Sequence, residues 1–260
     1  MDYRRTYRSA AIAFADLVSR IPAGALDGPG LGEWTLRDLL GHTVSSALRQ
    51  VPTVLAAPAP LSPPAGSSNP AGPLSPAADP SNSAGGSLNP ALDPLNAASS
   101  SLNTVSRPLN NASGPLITAP EGYFAVARTA PPEMVAAAVK ASTDDARTTG
   151  AALGDQPATA VSAYIGRATT ALAGAGDDDL VATPAGGMRV RDWLPTRTFE
   201  LVVHGSDAAA AAGLPIDFDP DTLAEAAALA ARIAAATGDG LSVLRALTGR
   251  ATLPSAFSVV

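Results

Sequence analysis

Between residues 193 and 207 the chain places Trp193, Arg197, Glu200, His204 and Asp207 at intervals of four, three, four and three. That is the period of one face of an α-helix, and a strand, whose side chains alternate, cannot bring these five to one side. The seam is polar where a core-facing stripe is normally apolar. Burying so many polar groups without partners costs several kcal/mol, so the spacing predicts a buried ligand that they share. Positions four apart on a helix differ in direction by only about 40°, so Glu200 and His204 make a two-ligand metal clip.

A lone Glu-x-x-x-His pair is more often a surface ion pair than a metal site. What strengthens the metal reading is that the chain holds only two histidines, and the second, His42, also closes a helical segment, Trp34-Thr-Leu-Arg-Asp-Leu-Leu-Gly-His42. His42 from a neighbouring helix completes a His2Glu set, the kind that leaves one coordination position for water or substrate.

Proline, glycine and capping residues delimit the remaining helices. The first is expected over about Tyr3 to Arg20 and is followed by a turn at Pro22, Gly24, Gly28, Pro29 and Gly30. The second starts at Thr35, with Asp38 three residues on as a capping-box partner. Its apolar stripe is Leu36, Leu39, Leu40, Val44, Ala47 and Val51, with His42 just beside it. Helices are expected at about Pro132 to Leu153 and Pro157 to Leu172, each opened by proline, then a loop or small hairpin over Asp177 to Met188. The clip helix is expected over about Arg191 to Ala212, with Gly213 as its stop, followed by helices at about Pro220 to Thr237 and Gly240 to Leu247. The fold class is all-α, a four-helix bundle with accessory C-terminal helices.

One stretch departs from this pattern. Residues 58–120 are dominated by Pro, Ala, Ser, Asn, Gly and Leu, carry almost no charge and echo short motifs such as Ser87-Leu-Asn-Pro90 and Arg107-Pro-Leu-Asn110. Recurrent proline removes backbone donors, so a disordered insert is expected there, dividing a single bundle domain into 1–57 and 121–260. An expanded surface loop is the simpler account of it, since closure entropy grows slowly with length; a lid or tether beside the site is the functional alternative.

Composition narrows the chemistry. A formal charge of −6 lacks the clustered cations of a phosphate-reading surface, so no nucleic-acid partner is expected. With no cysteine, any sulfur nucleophile must come from a cofactor or substrate. The basic N-terminus leads into a segment interrupted by Asp16 and Arg20, and no run of about 18 apolar residues occurs, so a cytoplasmic protein without a membrane partner is expected.

Three segments in this order, Trp34-Thr-Leu-Arg-Asp-Leu-Leu-Gly-His42, Arg197-Thr-Phe-Glu200-Leu-Val-Val-His204-Gly-Ser-Asp207 and Leu247-Thr-Gly-Arg-Ala-Thr-Leu-Pro254, resemble the DinB-like bundle of the mycothiol-dependent maleylpyruvate isomerase family. The resemblance implies zinc, or another divalent metal, held by His42, Glu200 and His204, and mycothiol, the low-molecular-weight thiol of actinobacteria, as co-substrate. The family's isomerase is similar in its bundle but continues into a sterol-carrier-like α/β domain. This sequence stops shortly after Arg250, so maleylpyruvate isomerisation itself is not expected to carry over.

The expected function is a zinc- and mycothiol-dependent transferase or isomerase acting on a small electrophile; a homodimer is an admissible state. From spacing alone, Arg197 is assigned to orienting Glu200 or holding a substrate carboxylate, and Asp207 to accepting the distal N–H of His204. Trp34 and Trp193 are assigned to core packing, and Arg250 with the tail to docking on the bundle. Two alternatives stand beside this: a non-enzymatic metal-binding regulatory or scaffold module, and a metal-free bundle in which Glu200 and His204 pair with Arg197 and each other.

Overall fold

The computed structural model describes residues 2–57 and 116–260. Helix α1, Tyr3–Arg20, starts where the Asp2 carboxylate accepts the free amides of Arg4 and Arg5, and it buries Tyr7, Ala10, Ala11, Phe14, Leu17 and Val18 on one face. Helix α2, Leu36–Thr43, opens with the expected reciprocal cap: Asp38 N–H donates to Thr35 Oγ1 and Thr35 N–H to Asp38 Oδ2, each at 3.1 Å. The rod then continues through a π-helical segment, Val44–Arg49, into α3, Gln50–Ala56. Pro52 lacks the amide that would bond the Leu48 carbonyl in α register, and the wider register lies just upstream of it, where Gln50 N–H reaches Ser45 O.

After the break come α4, Pro120–Thr129; α5, Pro132–Ala152; and α6, Pro157–Ala173, each with proline in its first turn. Strands β1, Leu180–Thr183, and β2, Gly186–Arg189, form an antiparallel hairpin with Leu180 opposite Arg189 and Thr183 opposite Gly186. Helix α7, Val190–Ala212, stops at Gly213, whose φ of 64° suits glycine. Asp219 caps α8, Pro220–Ala236, and α9, Gly240–Leu247, follows.

The helices close a four-membered ring in which α1 packs on α7, α7 on α2, α3 on α6, and α6 back on α1. Its core contains Phe14, Leu17, Leu36, Leu39, Leu40, Leu48, Trp193, Leu194 and Leu201, each fully buried. Outside the ring, α5 lies along α2, α4 on α7 and α8, and α9 on α8. This is the all-α bundle expected from the sequence, with the hairpin as its sheet.

The near edge of the expected insert belongs to the described fold. Ile117 N–H donates to Gly187 O at 2.9 Å, and Pro120 opens α4, whose Phe124 packs edge-on against Phe199 with ring centroids 5.2 Å apart. The sequence reading gave α4 no helix. The disorder expected over 58–115 lies outside the described residues.

Candidate metal centre

Two helices of the ring bring the ligand candidates together. Glu200 and His204 stand one turn apart on α7, with Glu200 Oε2 3.3 Å from His204 Nε2. His42 comes across from the end of α2, its Nε2 3.9 Å from the same oxygen. The three donor atoms lie within 4.8 Å of one another. Two ligands about 2.0–2.1 Å from one ion at a tetrahedral angle are separated by roughly 3.3 Å. The Glu200–His204 pair already has that spacing, whereas His42 stands wider, so the donor set suits a small divalent cation once His42 moves inward.

Each histidine turns Nε2 inward and has its other nitrogen held. His204 Nδ1 lies 3.2 Å from Asp207 Oδ2, one turn along α7, as the spacing predicts. His42 Nδ1 lies 3.3 Å from Ser142 Oγ on α5, a residue the sequence reading did not select. Partners of this kind fix the tautomer and ring orientation of ligating histidines. The two imidazoles meet edge to face, centroids 4.7 Å apart at 85°, and Trp34 packs on His42 at 4.9 Å. Trp34 is thus both partly buried against the core and beside the site, whereas Trp193 is wholly core.

Arg197 is 1% exposed and reaches the neighbouring rod rather than Glu200. Its Nη1 donates to Ser46 O at 2.7 Å and to Gln50 Oε1 at 2.6 Å, its Nε donates to Thr196 Oγ1 at 3.0 Å, and the guanidinium lies over the Tyr123 ring at 4.8 Å. Among the described residues it makes no hydrogen bond to Glu200. Its charge nevertheless reaches the carboxylate, as the ionisation of Glu200 records. A second buried arginine ties the π-helical segment to α5: Arg49 pairs with Asp145, and Ser45 Oγ donates to the same carboxylate. Arg250 is exposed and donates to Thr248 O.

Burial and partners divide the two histidines electrostatically. Desolvation, reinforced by the neighbouring His204, lowers His42 to about 4, so its imidazole is neutral near pH 7. Desolvation also acts to lower His204, but hydrogen bonds and charge from Asp207 and Glu200 outweigh it and raise the group to about 9. Burial acts to raise Glu200, and the His204 hydrogen bond with the charges of Arg197 and His204 holds it down at about 2. An anionic carboxylate, one neutral imidazole and one imidazolium therefore share the space.

Ser142 was missed because a serine among Lys140-Ala-Ser-Thr-Asp-Asp145 carries no chemical signature of its own. The available signal was positional: Val135, Val139, Ser142, Ala146 and Thr149 recur at four, three, four and three, and Ser142 is the first polar residue on that stripe.

No curated protein and no solved structure matches this chain. Residues 114–209 match a family model, and that stretch contains α4 to α6, the hairpin and most of α7, including Arg197, Glu200, His204 and Asp207; His42 lies before it and joins the site through the fold. The family so matched is the mycothiol maleylpyruvate isomerase N-terminal domain, the one that the three sequence segments resemble.

Proposed function

We propose that the chain binds one divalent cation, zinc in the first instance, through His42, Glu200 and His204, and uses it in a mycothiol-dependent transfer or isomerisation on a small electrophilic substrate. The observation that carries this reading is the approach of both Nε2 atoms to one Glu200 oxygen, at 3.9 Å from His42 and 3.3 Å from His204, with each Nδ1 beside a partner on its other side. A bound zinc ion supplies Lewis-acid chemistry, stabilising a thiol as the thiolate near neutral pH. That matches a chain with no cysteine of its own.

The protein's part is to hold and orient. Asp207 keeps the Nδ1–H of His204 directed away from the cluster and leaves Nε2 to face it. Ser142 does the corresponding work for His42. Arg197, fixed by Ser46 O and Gln50, keeps a positive charge behind Glu200 and holds the π-helical segment beside the ligand helix. Its role is therefore electrostatic and positional, where the spacing had assigned it to orienting Glu200 or holding a substrate carboxylate.

The test is elemental analysis of protein purified without chelator, for wild type, His42→Ala and His204→Ala, followed by assay of thiol-dependent consumption of small electrophiles. The expected result is a single metal equivalent in wild type, lost in both variants, and turnover that requires both metal and added mycothiol. Metal without thiol-dependent turnover would assign the chain to the non-enzymatic binding modules, and absence of metal under every loading condition would defeat both readings.

A further inference from the structure

The contact between α5 and the rod that carries His42 holds a pair of charges out of water. Arg49, the last residue of the π-helical segment, is 5% exposed, and its Nη2 lies 2.5 Å from Asp145 Oδ1 on α5. Ser45 Oγ donates to the other oxygen of that carboxylate, and Arg49 Nη2 also donates to Ser45 Oγ at 3.2 Å. Two residues of the rod, four apart and so on one face, thus grip one carboxylate of α5. The neighbouring carboxylate, Asp144, is exposed and pairs with Lys140 of its own helix instead.

A buried ion pair is a poor source of stability. Taking both charges out of water costs about as much as their attraction returns, and an apolar pair of similar volume often serves as well or better. What a carboxylate held through both oxygens adds is geometry: it fixes how far one helix slides and rolls on the other. That register bears directly on the candidate metal centre. Asp145 is three residues after Ser142 on α5, and Ser45 is three residues after His42 on the rod. Ser142 Oγ lies 3.3 Å from His42 Nδ1, so both partners of this contact are within one helical turn of the grip on Asp145.

We propose that Asp145, held by Arg49 and Ser45, is a positioning residue of the metal centre: it sets α5 against the rod so that Ser142 meets His42 Nδ1 and Nε2 is left facing Glu200. This rests on the metal-binding reading given above. Among the described residues the hydrogen bonds of Asp145 go to Ser45 and Arg49 and not to a ligand, so its effect on the ion passes through Ser142.

The test measures zinc affinity of the full chain by competition with a chromophoric chelator, alongside thermal unfolding of the metal-free protein. Arg49→Met/Asp145→Leu replaces the pair with apolar side chains, so the fold is expected to keep its stability, while zinc affinity falls by about tenfold. A part played only in holding the fold together would leave affinity at the wild-type value wherever stability is kept. Adding Ser142→Ala to that variant is expected to lower affinity no further, since both changes act through one contact. Asp144→Asn, a loss of the same charge one residue away, is expected to leave affinity unchanged. Ser45→Ala removes only a hydroxyl and serves if the apolar pair does not fold; it is expected to lower affinity about threefold, the worth of one hydrogen bond. Wild-type affinity in the folded apolar-pair variant or in Ser45→Ala would overturn the proposal and leave the metal reading intact. So would an equal loss in Asp144→Asn, or a loss that adds in full to that of Ser142→Ala. Wild-type protein that takes up no zinc would overturn the metal reading and this proposal together.

Discussion

His42 Nδ1 lies 3.3 Å from Ser142 Oγ, a contact that joins α2 to α5 and leaves the other ring nitrogen facing Glu200. If that hydroxyl sets the tautomer, its removal weakens metal binding without touching a ligand. Ser142→Ala is expected to lower zinc affinity by about tenfold or more, measured by competition with a chromophoric chelator, with thermal stability of the metal-free protein little changed. Ser142→Thr, which keeps the hydroxyl, is expected to retain most of the affinity. Equal affinities for all three proteins would make the contact incidental.

Asp207 and Glu200 both stabilise protonated His204, and this has a consequence for metal uptake. Between about 4, where His42 titrates, and about 9, where His204 does, the metal-free site carries one proton that a metal must displace. Apparent affinity is therefore expected to rise about tenfold per pH unit across that window, with one proton released per metal. Calorimetry in buffers of different ionisation enthalpy counts the proton directly. Uptake that is independent of pH from 6 to 8 would contradict the assignment of a protonated His204.

The same groups bear on folding of the metal-free protein. The folded-state value of His204 is raised from 6.5 to about 9, so its stabilisation is complete below pH 6.5 and is lost as pH climbs through 9, at about 1.4 kcal/mol per unit of separation. His42 is shifted the other way, from 6.5 to about 4, so its cost is felt at low pH and disappears as pH rises to 6.5. Urea unfolding of metal-free protein should show stability falling from pH 6.5 to 9, and His204→Gln should flatten that limb. An unchanged limb in the variant would place the titrating group elsewhere.

The clustering of His42, Glu200 and His204 was legible because its signal is local. A four-residue spacing places Glu200 and His204 on one face whatever surrounds them, and a capping box at Thr35 and Asp38 fixes where the helix carrying His42 begins. Asp207 was legible for the same reason, at one turn from His204. Arg197 was legible as a buried polar residue but not in its target: an arginine side chain reaches a neighbouring helix as easily as its own, and the carbonyl of Ser46 becomes available only through tertiary packing. Ser142, the Arg49–Asp145 pair and the π register depend on which face of α5 meets α2, and sequence period alone does not choose a partner helix. Helix α4 escaped because its ten residues adjoin a proline-rich stretch and bury only Phe124 deeply.

Two glycines lie where the backbones of α2 and α5 come close together, and this predicts a coupling between packing and metal affinity. A Cβ on Gly41 would lie 2.1 Å from Ala146 O and 2.3 Å from Gly150 N, and one on Gly150 would lie 2.6 Å from Arg37 O. These are backbone atoms of regular helices, so neither side can yield by changing a rotamer; the helices must separate. Gly41→Ala is expected to destabilise the protein by about 1–3 kcal/mol, the usual range for overpacking. It should also weaken zinc binding at least as much as Ser142→Ala does, because it displaces the residue next to His42 away from the helix bearing Ser142. Gly166→Ala supplies the contrast: its Cβ would meet nothing within 4 Å on α6, so the gain in helix propensity should stabilise the fold by about 0.5–1 kcal/mol and leave zinc affinity unchanged. Chemical denaturation and chelator competition on the two variants separate these outcomes. A Gly41→Ala protein with wild-type stability and affinity would show that the close approach of α2 and α5 is not what holds His42 in place.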